Sequence, residues 1–258
     1  MTLEIAGLEV RFGARPVVSI GDLAVGDAEI VGLAGESGSG KSMTTLAILG
    51  LAGTVGATVS GSISLDGREL IGLPDNELRH LRGRRIAAIF QSPSMAFNPV
   101  FRVGHMVLRA LRLHGLTGSE ANDRAAVAMR EVLLSPSLLR RYPAQLSGGQ
   151  LQRVAIALAL ALRAEILLAD EPTSALDVTV QAEVLELLRD LRDREGMSIL
   201  FISHDLAVVA ELCDRVAVMR AGSIVEQGPA GQIMSLPRDP YTAELLAAVP
   251  KIRTGPGQ

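Results

Sequence analysis

The segment GESGSGKS, residues 35–42, constrains the fold of this chain more than any other stretch, because its chemistry requires a strand before it and a helix after it. The apolar run EIVGLAG, residues 29–35, leads into it, and KSMTTLAILGL, residues 41–51, follows as a predicted helix. In the pattern G-x-x-x-x-G-K-[ST], glycines let backbone N–H groups curl around phosphate oxygens, and the positive end of the helix faces the anion. We therefore predict a phosphate-binding loop, with Lys41 on the β- and γ-phosphates and Ser42 as a ligand of Mg²⁺.

Two other interpretations of this loop are weaker. A glycine-rich turn with an incidental lysine would not need a strand and a helix on its two sides. A dinucleotide-binding turn is disfavoured because the pattern G-x-G-x-x-G does not occur here.

Composition restricts the class of protein. The 258 residues, 48% of them hydrophobic, are enough for one sizeable core. The mean hydropathy is +0.31, but the longest apolar run, residues 154–162, is far shorter than the roughly 20 residues of a membrane-spanning helix. The amino terminus, MTLEIAGLEVRFG, lacks the layout of a signal peptide. We therefore expect a cytosolic protein with its apolar residues in buried strands and helices.

Charge and cysteine usage exclude further classes. The net charge of −3 and the lack of a basic face argue against nucleic acid as a partner, and we interpret RHLRGRR, residues 79–85, as a solvated surface loop. The single cysteine, Cys213, excludes an internal disulfide and a cysteine metal cluster, so we expect it to be a small core residue.

The order of predicted elements indicates an α/β protein with a helical insertion. Buried strands are predicted at residues 29–35, 84–91, 165–170 and 198–203, and hairpins turn at Asp66-Gly67 and Ala221-Gly222. Helices dominate between residues 92 and 164, at 105–114, 119–133 and 148–162, the second with a capping-box spacing of Thr117 and Glu120. Buried strands separated by helices imply a mostly parallel sheet. The tail from residue 229 is predicted to be peripheral.

Acidic and polar side chains end several of these strands. Asp170 ends the apolar run of EILLADEP, where it can reach Mg²⁺ through water, and Glu171 can orient or deprotonate a water that attacks the γ-phosphate. His204, in FISHD, ends another strand at the same edge and can hydrogen-bond a γ-phosphate oxygen. Gln91 ends RRIAAIFQ, where its side-chain oxygen can couple the state of Mg²⁺ or water to the helical insertion. We interpret His80, His105 and His114 as ordinary surface or packing residues.

A second anion site is predicted at QLSGGQLQR, residues 145–153. Ser147 and Gln150 have capping-box spacing, and the amides of Gly148 and Gly149 lie at the positive end of the helix. The glycines would keep the approach free of side chains. An ordinary capped helix with a flexible start is the alternative.

These motifs, in this order, resemble the nucleotide-binding subunit of an ATP-binding cassette (ABC) transporter. GESGSGKS resembles the Walker A loop, ILLADE the Walker B strand, Gln91 the Q-loop, LSGGQ the family signature, SALD (residues 174–177) the D-loop and His204 the switch histidine. Phe12 stands where the family has an aromatic residue that stacks on adenine, with core packing as the alternative. The resemblance covers nearly the whole chain.

The resemblance implies a P-loop NTPase core with a mostly parallel sheet, an antiparallel β subdomain and an inserted helical subdomain. The core would take residues 1–91 and 165–228, the helical subdomain 92–164, and a C-terminal tail 229–258. The catalytic residues implied are Glu171, His204, Lys41 and Gln91, and the Mg²⁺ ligands are Ser42, Gln91 and Asp170. The residues implied to bind ATP are Phe12, Gly35, Glu36, Ser37, Gly38, Ser39, Gly40, Lys41, Ser42, Met43, Ser147, Gly148, Gly149, Gln150 and Asp177.

The resemblance also implies partners. Two such subunits pack head to tail, as a homodimer or a heterodimer, so that the signature of one covers ATP in the other. Two membrane permease subunits and a solute-binding protein would complete an importer, with this subunit peripheral on the cytoplasmic face of the inner membrane. GESGSGKS, QSPSMAFNP and PRDPYTAELLAAVP resemble the peptide and nickel importer group. The alternatives are a soluble ABC ATPase of translation or DNA repair, which is not coupled to transport, and a nucleotide-binding regulator without turnover.

Overall fold

Ten strands form one continuous sheet within residues 2–91, 96–174 and 176–248, which the computed structural model describes. In chain order they are β1 (Leu3–Phe12), β2 (Arg15–Val25), β3 (Ile30–Ala34), β4 (Thr58–Leu65), β5 (Arg68–Glu69), β6 (Ile86–Ile89), β7 (Ile166–Asp170), β8 (Ser198–Ser203), β9 (Arg215–Arg220) and β10 (Ser223–Pro229). Their order across the sheet is β5-β4-β1-β2-β10-β9-β3-β8-β7-β6. The predicted α/β fold is confirmed as a large mixed sheet with helices.

The α-helices of the described residues pack on this sheet or on one another. They are α1 (Lys41–Ile48), α2 (Asp75–Leu81), α3 (Val103–Leu113), α4 (Gly118–Glu131), α5 (Gly148–Leu162), α6 (Val178–Glu195), α7 (Leu206–Leu212), α8 (Ala230–Ser235) and α9 (Pro240–Ala248). Three predictions lie partly outside the described residues: the QSPSMAFNP motif at 92–95, the SALD motif at Ala175, and the tail at 249–258.

Strands β9, β3, β8, β7 and β6 run parallel to one another and form the half of the sheet that carries the site. Along β3, Val31 and Leu33 pack into the core on one face of the sheet, and Ile30 and Ala34 into the core on the other. Because both faces are covered, the strand is apolar throughout and does not alternate. Parallel strands of this kind end together, at the edge where α/β proteins bind ligands.

The antiparallel part, β5, β4, β1 and β2, extends the sheet rather than forming a separate layer. Both predicted hairpin turns are confirmed, with positive φ at Asp66 (50°) and Gly67 (76°) and again at Ala221 (45°) and Gly222 (92°). The second hairpin joins the two halves, because the N–H of Ser19 in β2 donates to the carbonyl of Gly222 at 2.7 Å.

The helix signals had mixed outcomes. Helix α5 spans the predicted residues, and Ser147 and Gln150 form the predicted capping box. The capping box predicted at Thr117 is wrong: Thr117 is the N-cap of α4, but its side chain makes no cap hydrogen bond. The reason lies in Gly118, whose φ of +62° turns the first helical residue away from ordinary helix geometry.

Of two predictions about packing, one is confirmed and the other is wrong. Cys213 is buried, as predicted. The tail was predicted to be peripheral, and the structure corrects this for its described part. Ile233 of α8 is 1% exposed, Tyr241 of α9 is 4% exposed, and Thr242 is fully buried. Helix α9 therefore packs against the body of the molecule through Tyr241 and Thr242, while Ala243 and Glu244 are exposed.

Candidate functional site

An open cavity of about 630 Å³ lies at the carboxyl edge of the parallel strands. Its lining brings together residues from both ends of the chain: Phe12, Val17, Glu36, Ser37, Gly38, Gly40, Lys41, Ser42, Met43, Gln91, Glu171, His204 and Leu245. All of these except Val17 and Leu245 are among the residues predicted from the sequence to form the site. The parallel register explains the convergence, since β3, β6, β7 and β8 end beside one another.

The glycines of the loop between β3 and α1 are required by close packing. A Cβ on Gly35 would lie 2.2 Å from the carbonyl oxygen of Met219, and one on Gly40 would lie 2.9 Å from the carbonyl oxygen of Val17. Gly40 also has a φ of +110°, a conformation that side chains disfavour. The loop is thus pressed against β9 and β2, and this close contact sets the path of its backbone beside the cavity.

Lys41, the first residue of α1, is held by the loop itself. Its Nζ donates to the carbonyl oxygens of Gly35 at 2.7 Å and Glu36 at 2.8 Å. Burial lowers the pKa of Lys41, and the nearby charges of Glu171, Asp170 and Glu36 partly oppose this. The ammonium group lies in the cavity wall, where it can exchange loop carbonyls for phosphate oxygens.

The surroundings of Asp170, the last residue of β7, show whether the residues present are suited to bind Mg²⁺. The side chain is buried, and its Oδ1 has no hydrogen-bond partner within the described residues. Burial raises the pKa of Asp170, although contact with the Ser42 hydroxyl lowers it. A buried carboxylate oxygen with a hydroxyl beside it is the type of oxygen donor set that Mg²⁺ prefers. The residues present therefore fit the ion.

Glu171 follows β7 in the left-handed backbone conformation, with a φ of 48°. Its N–H still bonds to the carbonyl of Ile202 at 2.8 Å, so the strand pairing continues while the chain turns sharply. Both side-chain oxygens are engaged: Gln91 Nε2 donates to Oε2 at 2.8 Å, and His204 Nδ1 lies 3.0 Å from Oε1. A non-glycine residue held in this conformation costs about 1–3 kcal/mol and is typical of functional sites.

Phe12 and Met43 lie on the wall of the cavity. The ring of Phe12, at the end of β1, is 39% exposed, so core packing does not account for it. Met43, in the first turn of α1, is partly buried against the core. Both apolar side chains can contact the flat face of the base or the ribose of a nucleotide.

Comparison with known proteins agrees with this geometry. The family model for ABC transporters matches residues 20–174. A protein of Brucella abortus (strain 2308) that carries the name of a peptide import ATP-binding protein is 46% identical over 97% of this chain and 77% of its own length. The dipeptide transport ATP-binding protein DppD of Escherichia coli (strain K12) is 42% identical over 96% of this chain and 78% of its own length.

The chain belongs to the ABC transporter family.

A solved structure extends the likeness to shape. The ATP-binding cassette MJ0796, as a dimer in a post-hydrolysis state with ADP and Pi, has a TM-score of 0.76 and 28% identity, covering 88% of this chain and 98% of that one. The present ABC cassette is accordingly a nucleotide-binding ATPase. No helix within residues 2–91, 96–174 and 176–248 is long and apolar enough to cross a membrane.

The signature segment of this ABC cassette lies outside its own cavity. Ser147 and Gly148 are exposed at the start of α5, and none of Ser147, Gly148, Gly149 and Gln150 is among the cavity residues. For Gly149 the structure gives a different reason from the open approach that we predicted: it is buried, and a Cβ there would lie 2.4 Å from Cγ1 of Val180. Gly149 is needed so that α5 and α6 can pack closely.

Asp177 also lies away from the cavity of the same cassette. Its Oδ1 accepts a hydrogen bond from the N–H of Val180 at 3.0 Å, which makes it the N-cap of α6. A capping role is sufficient to explain its residue type locally.

Sequence reasoning missed the contribution of α9 to the cavity. Leu245 is part of the wall, and the Tyr241 hydroxyl accepts a hydrogen bond from the N–H of Glu36 at 3.3 Å. One signal was available: Asp239-Pro240 is a pair typical of a helix start, with aspartate as N-cap and proline at the first helical position.

Proposed function

We propose that this ABC cassette is the ATP-hydrolysing subunit of an importer for peptides or related small solutes. Curated relatives named for peptide import and dipeptide transport, at 46% and 42% identity, support the choice of peptides. Nickel or other metal chelates remain the alternative solutes, and a soluble ATPase uncoupled from transport is the alternative function.

The observation that carries the proposal is the arrangement around Glu171. This carboxylate lies on the cavity beside Lys41, with Gln91 and His204 bonded to its two oxygens. A carboxylate oriented in this way can accept a proton from an attacking water. The hydrolytic role of Glu171, with His204 and Gln91 as its supports, is the mechanism that we infer.

Binding and orientation fall to the loop and α1. Lys41 would leave the carbonyls of Gly35 and Glu36 for phosphate oxygens, and loop amides within residues 37–43 would surround those oxygens. Ser42 and Asp170 would hold Mg²⁺, with Gln91 next to the ion. When bound, the ion neutralises charge on the phosphate oxygens. Phe12 would stack on adenine.

The signature would complete the site of a second subunit. Exposure of Ser147 and Gly148, away from the chain's own cavity, supports a head-to-tail dimer in which they and Gln150 contact the partner's ATP, with Asp177 at the same interface. The solved cassette MJ0796 is described as a dimer. Two permease subunits and a solute-binding protein would complete the importer, with this chain peripheral on the cytoplasmic face of the membrane.

A substitution at the signature tests the composite site. Ser147→Arg should place a long cation where the partner's phosphates would approach, so hydrolysis should fall about 100-fold or more while ATP binding by the monomer is unchanged. Ser137→Arg, at an exposed position in the same helical region, is the matched control. Equal hydrolysis by Ser147→Arg and wild type would show that the signature only caps α5.

Transport measurements distinguish the importer subunit from the soluble ATPase. The cassette would be expressed with its neighbouring permease subunits in proteoliposomes, and ATP-driven uptake of a labelled dipeptide would be compared with that of ⁶³Ni²⁺ chelates. Dipeptide uptake that is lost in the Glu171→Gln protein is the expected result. Hydrolysis without association with any permease would favour the soluble ATPase.

A further inference from the structure

We propose that helix α9 is a working part of the nucleotide site, and that Tyr241 is a positioning residue for the phosphate-binding loop. This inference rests on the proposed function of the loop. Residues 240–248 lie well beyond residues 20–174, which the family model matches.

Tyr241 and Lys41 hold opposite ends of one peptide group. The carbonyl oxygen of Gly35 accepts a hydrogen bond from Lys41 Nζ at 2.7 Å, and the N–H of Glu36, in the same peptide group, donates to the Tyr241 hydroxyl at 3.3 Å. Because a peptide group is planar and rigid, these two bonds set the orientation of the loop where it leaves β3. When Lys41 turns to phosphate, the tyrosine bond remains.

The ring of Tyr241 is itself held firmly. It is 4% exposed, and the guanidinium carbon of Arg220, at the end of β9, lies 4.7 Å above its centroid. A guanidinium over an aromatic face is attractive and fixes the ring plane. The hydroxyl is therefore presented to Glu36 from a rigid support.

The amino-terminal end of α9 is anchored to the sheet independently of that hydroxyl. The carboxylate of Glu226, in β10, accepts the N–H groups of Arg238 at 2.8 Å and Asp239 at 3.1 Å. Asp239 Oδ1 in turn accepts the N–H of Tyr241 at 2.8 Å, as a helix N-cap does. One turn further on, Leu245 reaches the cavity wall. The helix thus joins β10 to the nucleotide site.

A single-atom substitution tests the inference. Tyr241→Phe removes the hydroxyl and keeps the ring under Arg220. The matched control is Tyr142→Phe, because Tyr142 also has a guanidinium, that of Arg102 at 5.8 Å, over its ring, is exposed, and is not among the cavity residues. Both full-length proteins would be titrated with Mg-ATP, and amide exchange of the 30–42 segment would be followed without nucleotide.

We expect Tyr241→Phe to weaken ATP binding about 3- to 10-fold, the range for one lost hydrogen bond, and to raise KM for ATP with kcat unchanged. The Glu36 amide should exchange faster, whereas Tyr142→Phe should match wild type in each measurement. Wild-type ATP affinity in Tyr241→Phe would overturn the inference, whether or not Glu36 exchange or the melting temperature changes.

Lys41→Ala, measured in parallel, separates this inference from the function on which it depends. If Lys41→Ala weakens ATP binding and Tyr241→Phe does not, the role of α9 alone is wrong. If Lys41→Ala binds ATP as wild type does, the phosphate-binding role of the loop is wrong, and the inference falls with it.

Discussion

His204 Nδ1 lies 3.0 Å from Oε1 of Glu171, so the histidine at the end of β8 directly contacts the carboxylate that follows β7. On the other side, Gln91, just after β6, donates to Oε2. Strands β8, β7 and β6 are neighbours in the sheet, and their order places the three side chains in one row. The carboxylate is consequently oriented before any nucleotide arrives.

Removing the charge of Glu171 should stop turnover without stopping binding. Glu171→Gln keeps the shape but cannot take a proton from water, so we expect ATP hydrolysis to fall about 10²- to 10⁴-fold. ATP should remain bound and a dimer should accumulate, which size-exclusion chromatography with Mg-ATP would detect. Glu165→Gln, just before β7 at its opposite end, is the control and should hydrolyse ATP normally. Unchanged turnover in Glu171→Gln would remove its catalytic role.

Removing the His204 side chain should remove the contact at Oε1 of Glu171 and leave the hydrogen bond from Gln91 at Oε2. We expect His204→Ala to lower kcat about 10- to 100-fold, as misplacement of a reacting group does, with a smaller effect on ATP affinity. Steady-state kinetics measure both. His80→Ala is a suitable control, since the exposed His80 ring lies on α2 and hydrogen-bonds the carbonyl of Asn76 within the same helix. Equal loss in both variants would contradict a specific role for His204.

Asp170 should lower the stability of the nucleotide-free protein at neutral pH. Burial raises its pKa in the folded state, so between the unfolded value of 3.8 and the folded value the unfolded chain gives up its proton first, and stability is lost as pH rises. Asp170→Asn should therefore melt at a higher temperature than wild type at pH 7.5 with EDTA, and the difference should shrink towards pH 4.

The same variant should lose Mg²⁺-dependent hydrolysis, because it loses the carboxylate proposed to hold the ion. Asp190→Asn is the control, since Asp190 pairs with Arg194 on the surface of α6, where an ion pair has little effect on stability. A lower melting temperature for Asp170→Asn at pH 7.5 would contradict the predicted effect of burial.

The two signature glycines should differ in their tolerance of a methyl group. Gly149→Ala should destabilise the fold by about 1–3 kcal/mol, because the new Cβ would overlap Val180. Gly148→Ala should cause no loss, since among the described residues its Cβ would meet only Leu176, at 3.8 Å. Urea denaturation of both proteins measures the difference. Equal stability would mean that α6 moves aside at no cost.

Much of the site could be predicted because its chemistry is local in sequence. The loop at residues 35–42 needs a strand, its glycines and a helix in direct succession, and β3 and α1 form there as predicted. The capping box of Ser147 depends on a spacing of three residues, and it forms as well. The capping box at Thr117 has the same spacing and fails, because the φ of Gly118 is not encoded in the pattern.

What the sequence by itself determined is the set of reactive groups, the strands and helices that carry them, and the family of the chain. Tertiary structure decided which groups touch. Gln91 and Glu171 are 80 residues apart, and Tyr241 and Glu36 are 205 apart. Such contacts follow from strand order and from the packing of a C-terminal helix, neither of which a local pattern of residues specifies. The reason for Gly149, a close approach of α5 to α6, likewise became visible only once the two helices were packed together.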